Sequence, residues 1–477
     1  MSAAAQSSLV TWSRAGNLSN TPENSEYPAI VADGFGYVHT FWAEDVGGAA
    51  FQADETPKQG NSILYSRWDG SSWTAPTDVL YVPGDAAVGF VSVAVDAENW
   101  LHVVWTGMTN IYYSKAPSWD AQSPTSWSKP RVIATDSARS RWDSDIAVDP
   151  SGSLHVIYAT GGDATGVYHI SSQDSGTTWG SATRLSLPFY PLEESFSHTQ
   201  IVIDQSGRLH AVWQTNQLEG YGQAIYYSQS SDAGQNWSQP EEFAYRDAGE
   251  FESSYPYLIA VSPTEIHIIY VDSTIEGRYH RISRDGGDTW SEPYHILTDM
   301  EGINGYVFPL LDSAGDLHLI ANMRTKTQIG GIYHALWGGD GWMPVERLPL
   351  GDEGGDAHYT AGTMRLGNEM HLVWAQLSRG EIGHIRGAVP SVPEATPMDI
   401  PAPQSSAPQS TAVRTPDVIT EPTMPIQGSP PATEPLPAAS STPQSGSGYS
   451  ANPLLIAVLL TFLLLGAVVT WTQIRRR

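Results

Sequence analysis

The 477-residue chain has no cysteine, which excludes disulfide staples and thiolate chemistry. Basic residues are scarce: 24 Lys and Arg stand against 51 Asp and Glu, a formal charge of −27. Nucleic-acid binding rests on a basic footprint, so DNA and RNA are excluded as partners. The acidic balance suits a solvated surface, or one that meets basic or cationic partners. The N-terminal MSAAAQSS lacks the basic and apolar regions of a complete signal peptide, although it resembles the small-residue tail that follows an apolar region. Two readings follow: export from an upstream start, or a tail-anchored protein facing the cytoplasm. Large apolar residues almost vanish between Ala388 and Ser450, where Pro, Ser, Thr, Gln and Ala dominate. Such a stretch buries too little surface to fold, and residues 389–451 read as a disordered linker. At about 3.1 Å per residue it reaches on the order of 190 Å.

What is present begins with repetition. A short apolar run carrying one histidine recurs around His39, His102, His155, His210, His267, His318 and His371, at spacings of 51 to 63 residues. A second run follows each, as in Ile63-Leu-Tyr-Ser, Ile111-Tyr-Tyr-Ser and Ile225-Tyr-Tyr-Ser. Six tryptophans, Trp73, Trp127, Trp179, Trp237, Trp290 and Trp342, then open a fourth run. Runs of four to six residues rich in Val, Ile, Tyr and Trp, bounded by Gly, Asp, Asn and Ser, predict strands separated by turns. Four strands per unit in seven units predict an all-β, seven-bladed propeller over residues 9–388. The seventh unit lacks its fourth run, and a spare copy stands at Val10-Thr11-Trp12-Ser13. The N-terminal strand is therefore expected to complete the last blade and remove an open edge.

Downstream of the linker, Leu454–Trp471 carries no charge, and Arg475, Arg476 and Arg477 follow it. Eighteen residues at about 1.5 Å rise span about 27 Å, close to the hydrocarbon thickness. Residues 452–472 are thus expected to form a transmembrane helix and 473–477 a basic cytoplasmic tail. The propeller is then extracellular at the cell membrane.

Three consecutive units share one turn motif: Asp174, Gly176 and Trp179; Asp232, Gly234 and Trp237; Asp285, Gly287 and Trp290, each in the frame S-x-D-x-G-x-[TN]-W. The aspartate accepts amides within the turn, the glycine permits positive φ, and the tryptophan packs into the blade. This motif resembles the Asp box, or bacterial neuraminidase repeat, of sialidase-like propellers. The resemblance covers the whole repeat region and implies the propeller fold. In that family the box is a folding device away from the active site, and members include binding proteins and carbohydrate-active enzymes. The early Arg-Ile-Pro motif of the sialidases is missing, since Arg14 precedes Ala15 and Gly16. Seven units also exceed the six blades typical of those enzymes.

Sites in propellers gather at one mouth of the central channel. Counting back twelve residues from each repeat histidine selects Tyr27, Phe90, Asp143, His198, Tyr255, Tyr306 and Tyr359 as a ring there. Aromatic faces with a few polar groups suit a glycan or protein ligand, or they plug the channel. Asp143 and His198 are candidates for an acid–base pair if they meet within hydrogen-bond reach. Arg278, Arg324 and Arg379 share one loop class and are candidates to converge on a carboxylate, or are ordinary surface arginines. Tyr255 with Glu250 or Glu252 would imitate the Tyr–Glu nucleophile pair of sialidases. The repeat histidines sit mid-strand in every unit and read as core residues bonded within the blade. No convincing metal-ligand spacing occurs, and no cofactor is expected; acidic loops such as Asp352, Glu353 and Asp356 could take Ca²⁺, with simple solvated acids as the default reading. The chain is expected to bind a ligand at the mouth, with glycan cleavage, as an exo-sialidase-like hydrolase or a polysaccharide lyase, as the alternative.

Overall fold

The computed structural model describes residues 10–45, 61–83, 88–135, 143–161, 165–186, 195–216, 222–245, 253–272, 277–301, 307–325, 330–350 and 357–401. Within them the chain forms seven antiparallel sheets, taken here as blades 1 to 7 in chain order. Blade 1 runs outward through Asn24–Ala32, Val38–Asp45, Asn61–Trp68 and Thr77–Tyr81. The innermost strands of blades 2 to 7 are Val91–Val95, Ser144–Val148, Ser195–Ile203, Ser253–Ala260, Val307–Leu311 and Ala357–Arg365. Neighbouring inner strands contact one another around the whole ring, blade 7 against blade 1 included. In blade 7 the outermost positions are held by Thr11–Trp12 and Gly16–Asn17, both paired with Glu381–Ala388.

The apolar pattern explains this arrangement. The second strands are buried nearly end to end, as in Leu101–Thr106, because a neighbouring blade covers each face. The core accordingly lies between blades. Phe41 and Tyr65 of blade 1 pack with Val103 and Trp105 of blade 2, and Ile320 and Ile332 of blade 6 with Leu372 and Trp374 of blade 7. Corresponding clusters fill the other five interfaces.

Every repeat histidine is buried and holds a carboxylate at one ring nitrogen and a third-strand ring at the other. His210 Nε2 meets Asp204 Oδ2 at 3.5 Å and its Nδ1 meets Tyr227 Oη at 2.7 Å. In blade 1 the partners are Asp33 and Tyr65; in blade 6 they are Asp312 and His334. Blades 5 and 7 use Glu265 and Glu369 instead of aspartate. Burial pushes the Asp33 carboxyl up, but His39, Ser118 and Tyr37 outweigh it and hold it below its ordinary range.

The Asp boxes join these networks across blades. In the blade 3 box, the Thr178 amide donates to Asp174 Oδ1 at 2.7 Å and the Gly176 amide to Ser172 Oγ at 2.8 Å. Gly176 (φ 79°) lies so close to Tyr113 of blade 2 that a Cβ would fall 2.1 Å from the phenol oxygen. Gly234 is equally close to His169 of blade 3, and Gly287 to Tyr227 of blade 4. Trp179, Trp237 and Trp290 then pack edge-on against the same three rings at 5.0–5.2 Å between centroids. The box is thus an inter-blade clamp that seats on the histidine network of the preceding blade. Trp12 plays this part for His334 of blade 6, at 5.9 Å.

One expected boundary is corrected. Residues 389–401, assigned to the linker from composition, pack on the propeller: Val389 and Val392 are each 4% exposed and join the blade 6–7 core. The strand ends at Ala388, but the chain then crosses the turns between first and second strands. The Val389 amide donates to Asn368 O, Ala395 to Leu366 O (both blade 7) and Met398 to Gly34 O of blade 1. Asn99 of blade 2 reaches Met398 Sδ at 3.6 Å. Two well-placed valines and three backbone bonds suffice where average composition predicts none. Residues 452–472 lie outside the described residues, and among the latter no helix is long and apolar enough to cross a membrane.

Candidate functional site

The inner strands of all seven blades line a cavity of about 280 Å³ at the centre of the ring. Alternate residues of a strand face one side, but in four blades this alternation is broken. The inner-strand ladder slips between Glu26 and Ala29, Ser197 and Gln200, Ser254 and Tyr257, and His358 and Ala361. At these bulges Tyr27, His198, Tyr255 and Tyr359 adopt φ of 51–53°. Left-handed backbone at a bulky residue costs on the order of 1–3 kcal/mol and persists where the surroundings enforce it. Pro28 and Pro256 sit inside two of the bulges and have no amide for a regular ladder. Displaced amides find side-chain acceptors: His198 N donates to Asp143 Oδ2 at 2.8 Å and Tyr255 N to Gln214 Oε1 at 2.9 Å.

The side chains aimed in this way form two unlike walls. On blades 7, 1 and 2, Tyr27 lies 4.4 Å from Phe90 and 4.8 Å from Tyr359, with Phe90 and Tyr359 6.0 Å apart. Burial raises the Tyr27 phenol far above its usual range, and hydrogen bonds to Tyr359 and Glu26 add to it. Across the ring, on blades 3 to 5, stand Asp143, His198 and Tyr255, the last two in edge-on contact at 4.7 Å. His198 Nδ1 shares a 2.9 Å bond with Ser197 Oγ.

A second layer lies further along the channel. Asp145 accepts Ser92 Oγ at 2.6 Å, Ile146 N at 2.9 Å and Ile201 N at 3.0 Å. Tyr257 packs near Phe308 at 6.1 Å, and burial, then Asp143 and Asp145, raises its phenol well above the usual range. Both aspartates are half-buried: protein encircles each carboxylate, and one side faces the channel. Burial pushes Asp143 up to about 7, against the His198 amide, and Asp145 up to about 6, against three hydrogen bonds. Among the described residues that line the cavity there is no lysine or arginine.

Of the residues expected at the mouth, Tyr27, Phe90, Asp143, His198 and Tyr359 line this one cavity and Tyr255 touches it through His198. Tyr306, Glu250 and Glu252 lie outside the described residues, as do Asp352, Glu353 and Asp356. Asp143 and His198 do lie side by side, and the bond between them runs from the His198 backbone amide to Asp143 Oδ2. The arginines do not share a loop class. Arg278 is the second residue of the third strand Gly277–Ser283 and is buried, its Nη2 donating to Asn322 O of blade 6 at 2.8 Å. Arg324 is within the second strand Leu317–Thr325, and Arg379 is exposed in a turn of blade 7. None of the three lines the cavity. The strands extend further toward the mouth than the apolar runs indicate, and this absorbs the first two. Among the described residues no cluster of three or more His, Asp or Glu suits a metal ion. Counting twelve back missed Asp145, Gln200 and Tyr257, each two residues beyond a ring position; the period of two was the available signal.

Residues 108–329 match the family model of the BNR repeat-like domain. Among solved structures, the BP39L lectin from Burkholderia pseudomallei is similar at 13% identity over 80% of this chain and 100% of its own, with a TM-score of 0.54. A protein of unknown function from Dyadobacter fermentans aligns at 12% identity over 80% and 99% (TM-score 0.49). The Hadza microbial sialidase Hz136 aligns at 15% over 78% and 66% (TM-score 0.45). At these identities the likeness concerns the fold alone. No curated protein matches the chain.

Proposed function

We propose that this chain, a BNR/Asp-box β-propeller of the sialidase-like type, is a glycan-binding module whose ligand enters the aromatic end of the channel. The observation that carries this reading is the convergence of Tyr27, Phe90, His198 and Tyr359 on one cavity, three of them through strained backbone. Aromatic faces offset by a few fixed polar groups suit the two unlike sides of a sugar ring. In the same reading the N-terminal strand closes the ring. Residues 452–472 anchor the chain in the cell membrane, and the propeller is displayed outside. A protein ligand is the other occupant of this mouth. A glycan array probed with the full chain tests the proposal. Binding that disappears in Tyr27→Ala and Tyr359→Ala, with unchanged circular dichroism, supports it. Silence across the array from folded protein overturns it.

A second reading, glycan cleavage, is favoured by one observation. A carboxyl pushed up to about 7 beside one at about 6 is poised to donate a proton near neutrality. Turnover of a fluorogenic sialoside or of a uronate polysaccharide, abolished by Asp143→Asn, would establish it. Absence of turnover while binding persists leaves the module non-catalytic.

A further inference from the structure

Resting on the glycan-binding reading, we infer that the channel selects a sugar carrying a free ammonium group, such as a terminal hexosaminyl unit, and rejects sialic and uronic acids. Charge is the first argument. The described lining holds Asp143 and Asp145 and no lysine or arginine, and Glu26, bonded to Tyr27, adds a third acid at the rim. A ligand carboxylate entering this ring finds no lysine or arginine to pair with and adds a further negative charge beside these acids, where the effective dielectric is low. His198 is the lining side chain able to carry positive charge, and its ring is already engaged by Ser197 Oγ and Tyr255.

The two aspartates differ in a way that identifies the recognising group. Asp145 is satisfied on both oxygens by Ser92, Ile146 and Ile201. Asp143 accepts one amide on Oδ2 and turns toward the cavity. Its carboxyl is raised by burial, so the empty site disfavours its charge, and an incoming cation relieves that cost. The facing wall of Tyr27, Phe90 and Tyr359 presents π-faces to the same cation. Size completes the argument. A cavity of about 280 Å³ equals about nine waters at about 30 Å³ each. It lies just under the roughly 300–1,000 Å³ of pockets for drug-sized ligands. The enclosed part holds about one sugar residue. The acidic surface draws cationic ligands toward the mouth.

Isothermal titration of the full chain with three methyl glycosides decides the matter: glucosamine, N-acetylglucosamine and N-acetylneuraminic acid. The amine is expected to bind at least about tenfold more tightly than its acetamide, with no heat from the acid. Asp143→Asn removes this preference. Glu26→Gln narrows it and serves as the second variant should Asp143→Asn fold poorly. Asp69→Asn, an exposed turn acid outside the cavity, leaves it unchanged and separates channel recognition from attraction to the surface. Equal binding of the acetamide, tighter binding of the acid, or an unchanged preference in both channel variants overturns the inference while glycan binding stands. Silence toward all three sugars and toward the array, from folded protein, overturns the reading beneath it.

Discussion

His198 and His210 lie twelve residues apart in blade 4 and live under opposite rules. His210 is fully buried, with Tyr227 at one nitrogen and Asp204 at the other, and its counterpart in every blade has the same kinds of partner. His198 stands at the channel mouth in left-handed backbone, and the equivalent positions elsewhere are Tyr, Phe or Asp. The turn end of the propeller repeats one chemistry seven times because each blade solves the same packing problem. The mouth end varies residue by residue, and in four blades the chain also holds strained backbone there. Uniformity marks folding; departure from it marks recognition.

The sharpest way to break this contrast is through the inter-blade clamp. Gly176→Ala drives a methyl into the Tyr113 ring and forces alanine to φ 79°, and is expected to cost about 3 kcal/mol or more in urea unfolding. Gly152→Ala has a similar φ of 84° but open space, so about 1–2 kcal/mol from backbone alone is expected. Equal costs would refute the clamp. Next in size, His210→Ala leaves Asp204 and Tyr227 without their shared partner, at about 2–3 kcal/mol by the same measurement.

Acid sharpens the comparison, because the two ends respond with opposite sign. Burial, then the neighbouring His155, holds His169 down to about 3, and burial holds His280 and His384 well below 6.5. The unfolded chain therefore takes these protons first. Their contribution to stability is full above about 6.5 and is lost as pH falls toward about 3, which thermal melts across that window will register. Asp143 runs the other way: raised from 3.8 to about 7, it retains a proton that the unfolded chain releases, so its contribution fades as pH rises between those values. The smallest expected effect follows. Asp143→Asn should raise Tm at pH 7 by a few degrees and leave it unchanged near pH 4. A lower Tm at pH 7 would place Asp143 among the structural acids.

The same contrast decides what was legible in the sequence. Period and motif predicted the seven blades, the strand order and the bonding of the repeat histidines, because packing repeated seven times leaves a periodic trace. The mouth positions were found by counting from those histidines, so Tyr27, Phe90 and Asp143 came out together. Their company did not. A bulge adds one residue and reverses which side chains face inward, and nothing in Tyr27-Pro28 or His198-Thr199 announces positive φ. Asp145 and Tyr257 each stand two residues past a counted position, so the strand period, not the count from the histidines, was the signal that pointed to them. Arg278 was misplaced because a third strand began a residue earlier than its apolar run. The packed segment 389–401 escaped because composition averages over the two valines that hold it.

That segment has a mechanical consequence. It crosses the turns of blades 7, 1 and 2, on the face opposite the mouth, before the chain passes Pro401. Load applied from the C-terminal side reaches it before it reaches the last strand of blade 7. Thirteen residues drawn straight at about 3.3–3.6 Å each have a length of about 45 Å, of which the span they already cover is no new travel. The bonds to Gly34, Leu366 and Asn368 are spaced along the segment, so such a load is expected to meet them in turn. A pull from that side is therefore expected to peel this segment before it strains the last strand of blade 7, so that the ring stays closed while the segment yields.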